Sequence, residues 1–167
     1  MKKILITILF LFAFLQPSFG AGSSGDNDKP KTTDYEKAVK LVKQAKKYEE
    51  KGKTDKAKSR YEKAQKLLIK SNKKKPLNAD TLNYLGFTTR KLGDFENGEK
   101  YYLLGLEVKP DHKGINEYLG ELYVATGRLD LAKERLKVLE NCNCEEYKSL
   151  KKLLKEQKNL SINKELC

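Results

Sequence analysis

Two stretches of the chain repeat one another at a spacing of 34 residues. Leu85-Gly86 precedes Gly93 by seven residues, and Leu119-Gly120 precedes Gly127 by the same seven. The frame continues with Phe95 against Leu129, Gly98 against Ala132 and Tyr102 against Leu136. A period of this length cannot close a globule on itself. Each copy is one supersecondary unit that buries its apolar face only by stacking on a neighbour, which predicts a helical array.

The helical period supports this. Ala38, Leu41, Ala45 and Tyr48 form one stripe, and Ala57, Tyr61, Ala64 and Leu68 a second. Gly52 separates them, with Thr54 or Asp55 as the expected cap of the second helix. Pro76 and Pro110 close units, and Asn78 or Asp80 opens the middle one. After the third unit, Tyr147, Leu150, Leu153 and Leu154 lie on one face of a final helix. No segment alternates as a strand would. The expected fold is all-α: an α-solenoid of about three helix-turn-helix repeats plus a C-terminal capping helix. The repeats are expected at residues 35–72, 79–112 and 113–144, and the capping helix at 145–160, within a domain spanning 34–160.

These residues resemble the tetratricopeptide repeat family. The middle unit carries Leu82, Leu85, Gly86, Gly93, Gly98, Tyr102, Gly105 and Pro110 at family positions, with Thr89 where an aromatic is usual. The third carries Leu119, Gly120, Tyr123, Gly127 and Ala132, while Asn116, Leu139 and Cys144 depart from the pattern. The first matches more loosely through Leu41, Ala45, Tyr48, Gly52, Ala57, Tyr61 and Ala64, and its second helix is about seven residues longer. The segment Cys144-Glu145-Glu146-Tyr147 looks like one in small exported bacterial proteins of this repeat class.

The resemblance implies a non-catalytic module that binds a protein or peptide in a concave groove lined by the first helix of each repeat. Its frame aims Asn83, Phe87 and Arg90 of the middle unit and Glu117, Glu121 and Val124 of the third into that groove. Phe87 and Val124 would form an apolar centre and the others would orient the ligand; the first unit would add Val39, Val42, Lys46 and Glu49. One family specialisation, the clamp for a peptide C-terminal carboxylate, requires Lys, Asn, Asn, Lys and Arg. Those positions hold Val42, Lys46, Tyr84, Gly114 and Tyr118, so the clamp is absent.

Charge is concentrated. Residues 29–75 hold 18 basic and 6 acidic side chains, which is the whole net charge of +12. Lys37, Lys40, Lys43, Lys47 and Lys51 recur at helical spacing and form a basic patch. Such a face is commonly just solvated; its functional reading, the alternative to groove binding, is contact with an anionic envelope surface. Nucleic acid is not an expected partner, because the N-terminus reads as an export signal. Lys2 and Lys3 precede the apolar run 4–15, and Ser18 and Gly20 are small residues suited to cleavage. A run of 12 residues, apolar except for Thr7, falls short of the roughly 20 a membrane span requires. The expectation is a signal peptide at 1–20, a flexible leader at 21–33, a mature chain without a transmembrane span, and residence in a bacterial periplasm or outside the cell. An uncleaved interfacial anchor is the competing reading.

Export makes disulfide chemistry plausible for the three cysteines. Cys142 and Cys144 can be bridged, though with strain, which would leave Cys167 free or intermolecular. Pairing with Cys167 would require the tail 161–167 to fold back along about 24 Å of helix. Two thiols without a nearby histidine make only half a zinc site, and no metal or other cofactor is expected. His112 stands in the turn after Pro110-Asp111, where it reads as an exposed turn residue. No catalytic set accompanies it, and no nucleophile or phosphate-loop motif occurs, so no enzyme activity is expected.

Overall fold

The computed structural model describes residues 32–165. These form seven helices: α1 (Asp34–Glu49), α2 (Thr54–Lys74), α3 (Ala79–Lys91), α4 (Phe95–Val108), α5 (Lys113–Ala125), α6 (Leu129–Leu139) and α7 (Glu145–Glu165). Helices α1/α2, α3/α4 and α5/α6 pair as hairpins. Helix α3 packs back on α2, α5 on α4, and α7 on both α5 and α6. The described chain is an all-α solenoid of three helix-turn-helix units closed by a C-terminal helix. The expected signal peptide, most of the leader and Cys167 lie outside the described residues.

The first unit, loosest in sequence, has the same turn as the others. Gly52, Gly93 and Gly127 have φ of 66°, 97° and 75°, the left-handed region where a side chain is disfavoured. After each glycine the next amide reaches back over the helix end: Lys53 N to Tyr48 O, Asp94 N to Thr89 O and Arg128 N to Tyr123 O, at 2.8–3.1 Å. This bond satisfies a carbonyl that the helix C-terminus leaves unpaired. The sequence signal of the first unit is therefore its turn, not its Leu-Gly.

Several boundaries differ from expectation. Helix α2 runs to Lys74, past the expected end of the first repeat at 72, because Ser71 to Lys74 contains neither Gly nor Pro. Lys74 there meets Asp34 at the start of α1, 2.7 Å away. Neither Thr54 nor Asp55 caps α2; Lys53 is the N-cap residue and donates no side-chain cap bond. Thr33, read as leader, caps α1: its hydroxyl accepts from Glu36 N at 3.1 Å and its own amide donates to the Glu36 carboxylate at 2.8 Å. Helix α7 continues to Glu165, five residues beyond the expected end at Leu160 and into the expected tail, where no Gly or Pro interrupts it.

Packing within the array is set by large side chains seated on glycines. A Cβ at Gly86 would come within 2.5 Å of the Tyr102 ring, and one at Gly120 within 2.5 Å of Leu150. Tyr102 and Leu150 are fully buried. Leu150 is thus the residue by which α7 locks onto α5. Asn116, a polar residue at a core position, is also fully buried and satisfied: its amide donates to Pro110 O at 3.0 Å and His112 O at 3.1 Å, and Arg135 donates to it. It clips the turn between the second and third units. Thr89, standing where an aromatic is usual, accepts a 2.8 Å hydrogen bond from Gln65 of α2.

Gly86→Ala should destabilise the chain by about 1–3 kcal/mol, because the aromatic ring it meets is held on all sides. Gly93→Ala meets open space and should cost about 1 kcal/mol through its positive φ alone. Urea unfolding of the two variants distinguishes the mechanisms; equal losses would contradict the packing account.

Candidate functional site

The concave side is built from α1, α3, α5 and α7, and its centre is filled by the chain's own side chains. Phe87, expected to be an open apolar anchor, is 3% exposed. Its ring stacks obliquely on Tyr118 at 4.7 Å and meets Tyr61 edge-on at 5.8 Å. Lys46 reaches over from α1. Its ammonium lies 4.6 Å from the Phe87 ring centre and 5.0 Å from that of Tyr118, and it donates to the Tyr118 hydroxyl at 2.9 Å. A cation over two aromatic faces is favourable by electrostatic attraction to the ring quadrupoles. Arg90 covers the other flank, 5.7 Å from the Phe87 ring, and forms a 2.7 Å ion pair with Glu121.

Of the six groove residues expected, Arg90, Glu121 and Val124 line one cleft, while Asn83, Phe87 and Glu117 are not part of its lining. Asn83, Phe87 and Val124 are buried, at 7%, 3% and 7% exposure. The burial of Phe87 corrects the expectation of an open apolar centre: tyrosines from neighbouring helices and the Lys46 stem close over it. Val42, placed in the groove by the frame, is likewise in the core at 1% exposure. Arg90, Glu117 and Glu121 are half-buried, and Arg90 and Glu121 face the remaining space. Burial pushes the Glu117 carboxyl above the usual carboxylate range; a hydrogen bond with Ser149 opposes this, and the charges of Glu121 and Glu146 add to it. Burial also raises the Tyr118 phenol, so Tyr118 stays neutral and can accept from Lys46.

What remains open is a cleft of about 650 Å³ between α3, α5 and α7. Arg90, Glu121 and Val124 form one wall, and Ser149, Lys152, Leu153 and Glu156 of α7 form the other. The α7 residues were not among the expected site. The apolar stripe of that helix reveals that it packs, but not that its opposite flank borders the groove.

The five lysines of the basic patch are all exposed, four along α1 and Lys51 in the turn that follows it. Lys47 and Lys51 line a shallow notch with Gln44, Tyr48 and Arg60. Cys142 and Cys144 are bridged, with Cα atoms 5.2 Å apart, in the link between α6 and α7. His112 is not an exposed turn residue, as expected, but the N-cap of α5. Its Nδ1 accepts from Ile115 N at 3.1 Å, which leaves the proton on Nε2 to donate to Asp80, also at 3.1 Å. The histidine is committed to joining two units. Among the described residues no group of acidic, Cys and His side chains could hold a metal, and no helix is long and apolar enough to cross a membrane.

Phe87→Ala should cost about 3–5 kcal/mol of stability, as for a core aromatic, and Lys46→Met far less, since the stem survives and only the ammonium is lost. Thermal unfolding measures both. Glu117→Gln tests the buried carboxyl. A carboxyl raised in the fold contributes stability below its unfolded value and loses it as pH rises through the folded one. The variant should match the parent near pH 4 and exceed it near pH 7 in urea titrations; parity at both would refute the burial penalty.

Residues 79–112 match the tetratricopeptide repeat family model. No curated protein matches the chain. Among solved structures, the fold is similar to the type III secretion translocator chaperone SycD of Yersinia enterocolitica, at 18% identity over 77% of this chain and 94% of that one, with a TM-score of 0.53. The first such domain of human RPAP3 aligns at 22% identity over 74% and 96% (TM-score 0.44). The Sgt2 domain of Aspergillus fumigatus aligns at 17% over 78% and 82% (TM-score 0.47). The chain thus carries a tetratricopeptide repeat at residues 79–112, at the centre of a three-unit array with the tetratricopeptide-repeat fold.

Proposed function

We propose that this protein is a non-catalytic interaction module, exported to the cell envelope, that holds an extended protein segment in the cleft between α3, α5 and α7. The observation that carries this reading is the cleft's make-up: an apolar wall of Val124 and Leu153 beside charges of both signs from Arg90, Glu121, Lys152 and Glu156. An extended peptide offers apolar side chains and paired backbone polar groups together, which suits such a lining. The recognition is not that of a carboxylate clamp. At the clamp positions Val42 is core and Lys46 is spent on Tyr118.

The export part of this reading rests on the basic pair, the apolar run 4–15 and the small residues before Ala21. N-terminal sequencing of the protein from the envelope fraction should begin within about two residues of Ala21. An intact Met1 terminus in the cytoplasm would overturn it.

The cleft is tested with a photo-crosslinking residue placed at Lys152, on the cleft wall, or at Lys66, exposed on α2. Irradiation in native cells should give discrete adducts from position 152 and not from 66. The same adducts from both, or none from 152, would sink the cleft as the binding surface.

A further inference from the structure

Helix α7 has two working flanks. Ser149, Lys152, Leu153 and Glu156 border the concave cleft, while Lys151, Leu154 and Lys155 point to the opposite side. There, with Leu129, Lys133 and Leu136 of α6, they line a second groove of about 480 Å³. Its floor is three half-buried leucines, and every charged side chain lining it is a lysine.

We propose that this α6/α7 groove docks an acidic amphipathic helix of a partner protein. Three observations converge on that occupant. First, α1, α3 and α5 are each covered along one side by the antiparallel helix that follows, whereas α7 has no such follower among the described residues. The groove lies between α6 and α7, on a flank of α7 that no following helix covers among the described residues. Second, the leucines are spaced for ridge-and-groove contact: 129 and 136 lie two turns apart on α6, with Leu154 opposite on α7. A visiting helix would fill them with apolar residues at i, i+3 or i+4, and i+7. Third, the rim is of one sign. Lys133 is partly offset by Asp130 at 2.9 Å and Lys151 leans on the Tyr147 ring, but among the described residues no carboxylate lines the groove itself. Lysine stems flank the leucines while their ammonium groups remain in water, poised for carboxylates on either side of an apolar stripe. A basic or neutral helix would meet only repulsion or unpaired charge. The site is distinct from the concave cleft and stands whether or not that cleft binds a peptide.

The test uses the full chain and three synthetic helices of about twenty residues: one with a leucine stripe flanked by glutamates, one with lysines replacing the glutamates, and one with the acidic composition scrambled. Fluorescence anisotropy should show binding of the first alone. Lys151→Glu/Lys155→Glu should weaken it at least about tenfold, in proportion to the loss of charge complementarity. Lys40→Glu/Lys43→Glu, on the basic α1 face, should change it less than about twofold. Circular dichroism confirms that both variants fold, as expected for exposed lysines. Equal binding of the scrambled peptide, or loss of binding in the α1 variant, would show mere attraction to positive charge and overturn the proposal. Binding of phosphatidylglycerol vesicles through Lys151 and Lys155, without peptide binding, would reassign the groove to a membrane surface and overturn it equally.

Discussion

The architecture depends on how closely two helices of a hairpin can approach. Where Gly86 lacks a side chain, Tyr102 lies flat against backbone, and α3 becomes buried on nearly every side. That closeness lets one helix of 13 residues carry the middle of the molecule. Elsewhere on α3, Phe87 meets Tyr61 of α2 and Tyr118 of α5, so aromatic residues of three helices form one cluster. The same device recurs at Gly120, but with a difference. Its knob is Leu150 of the closing helix, so α7 is bound into the array as firmly as a repeat would be. An array of this kind otherwise ends on an exposed apolar edge.

The concave face follows from the same cluster. A row of aromatics at the centre of a groove invites a ligand, yet here Lys46 and Arg90 take up the ring faces, and Glu121 holds Arg90 in place. The open space lies towards α7, where apolar and charged side chains of both signs line the cleft. The helix that packs on α5 and α6 thus also forms a wall of the open cleft.

The hairpins, their turns and the closing helix were legible in the sequence because each rests on local rules: glycine where φ is positive, proline after a unit, apolar spacing along one face. The less regular positions became intelligible only through contacts. Asn116 breaks the repeat pattern, and nothing local says that it ties the turn at Pro110 and His112. His112 reads as a solvent-exposed turn residue until Asp80, 32 residues away, is seen beside it. For the site, a frame can say which positions aim into a groove but not which of them are covered there. Phe87 and Lys46 occupy the same groove position of neighbouring repeats, and the ammonium over the ring closes what either alone would leave open. The role of α7 was hidden for a related reason: an apolar stripe reveals which side of a helix is packed and leaves open what the two flanks border.

The 34-residue frame has one more bearing on the end of the array. Counted on from Gly86 and Gly120, the next matching position is Leu154. A helix arriving beside α7 cannot settle against bare backbone as α4 does on α3; it is kept a side chain's breadth away. Leu154 lies in the open groove between α6 and α7, so a helix resting there would pack on a side chain where α4 packs on backbone.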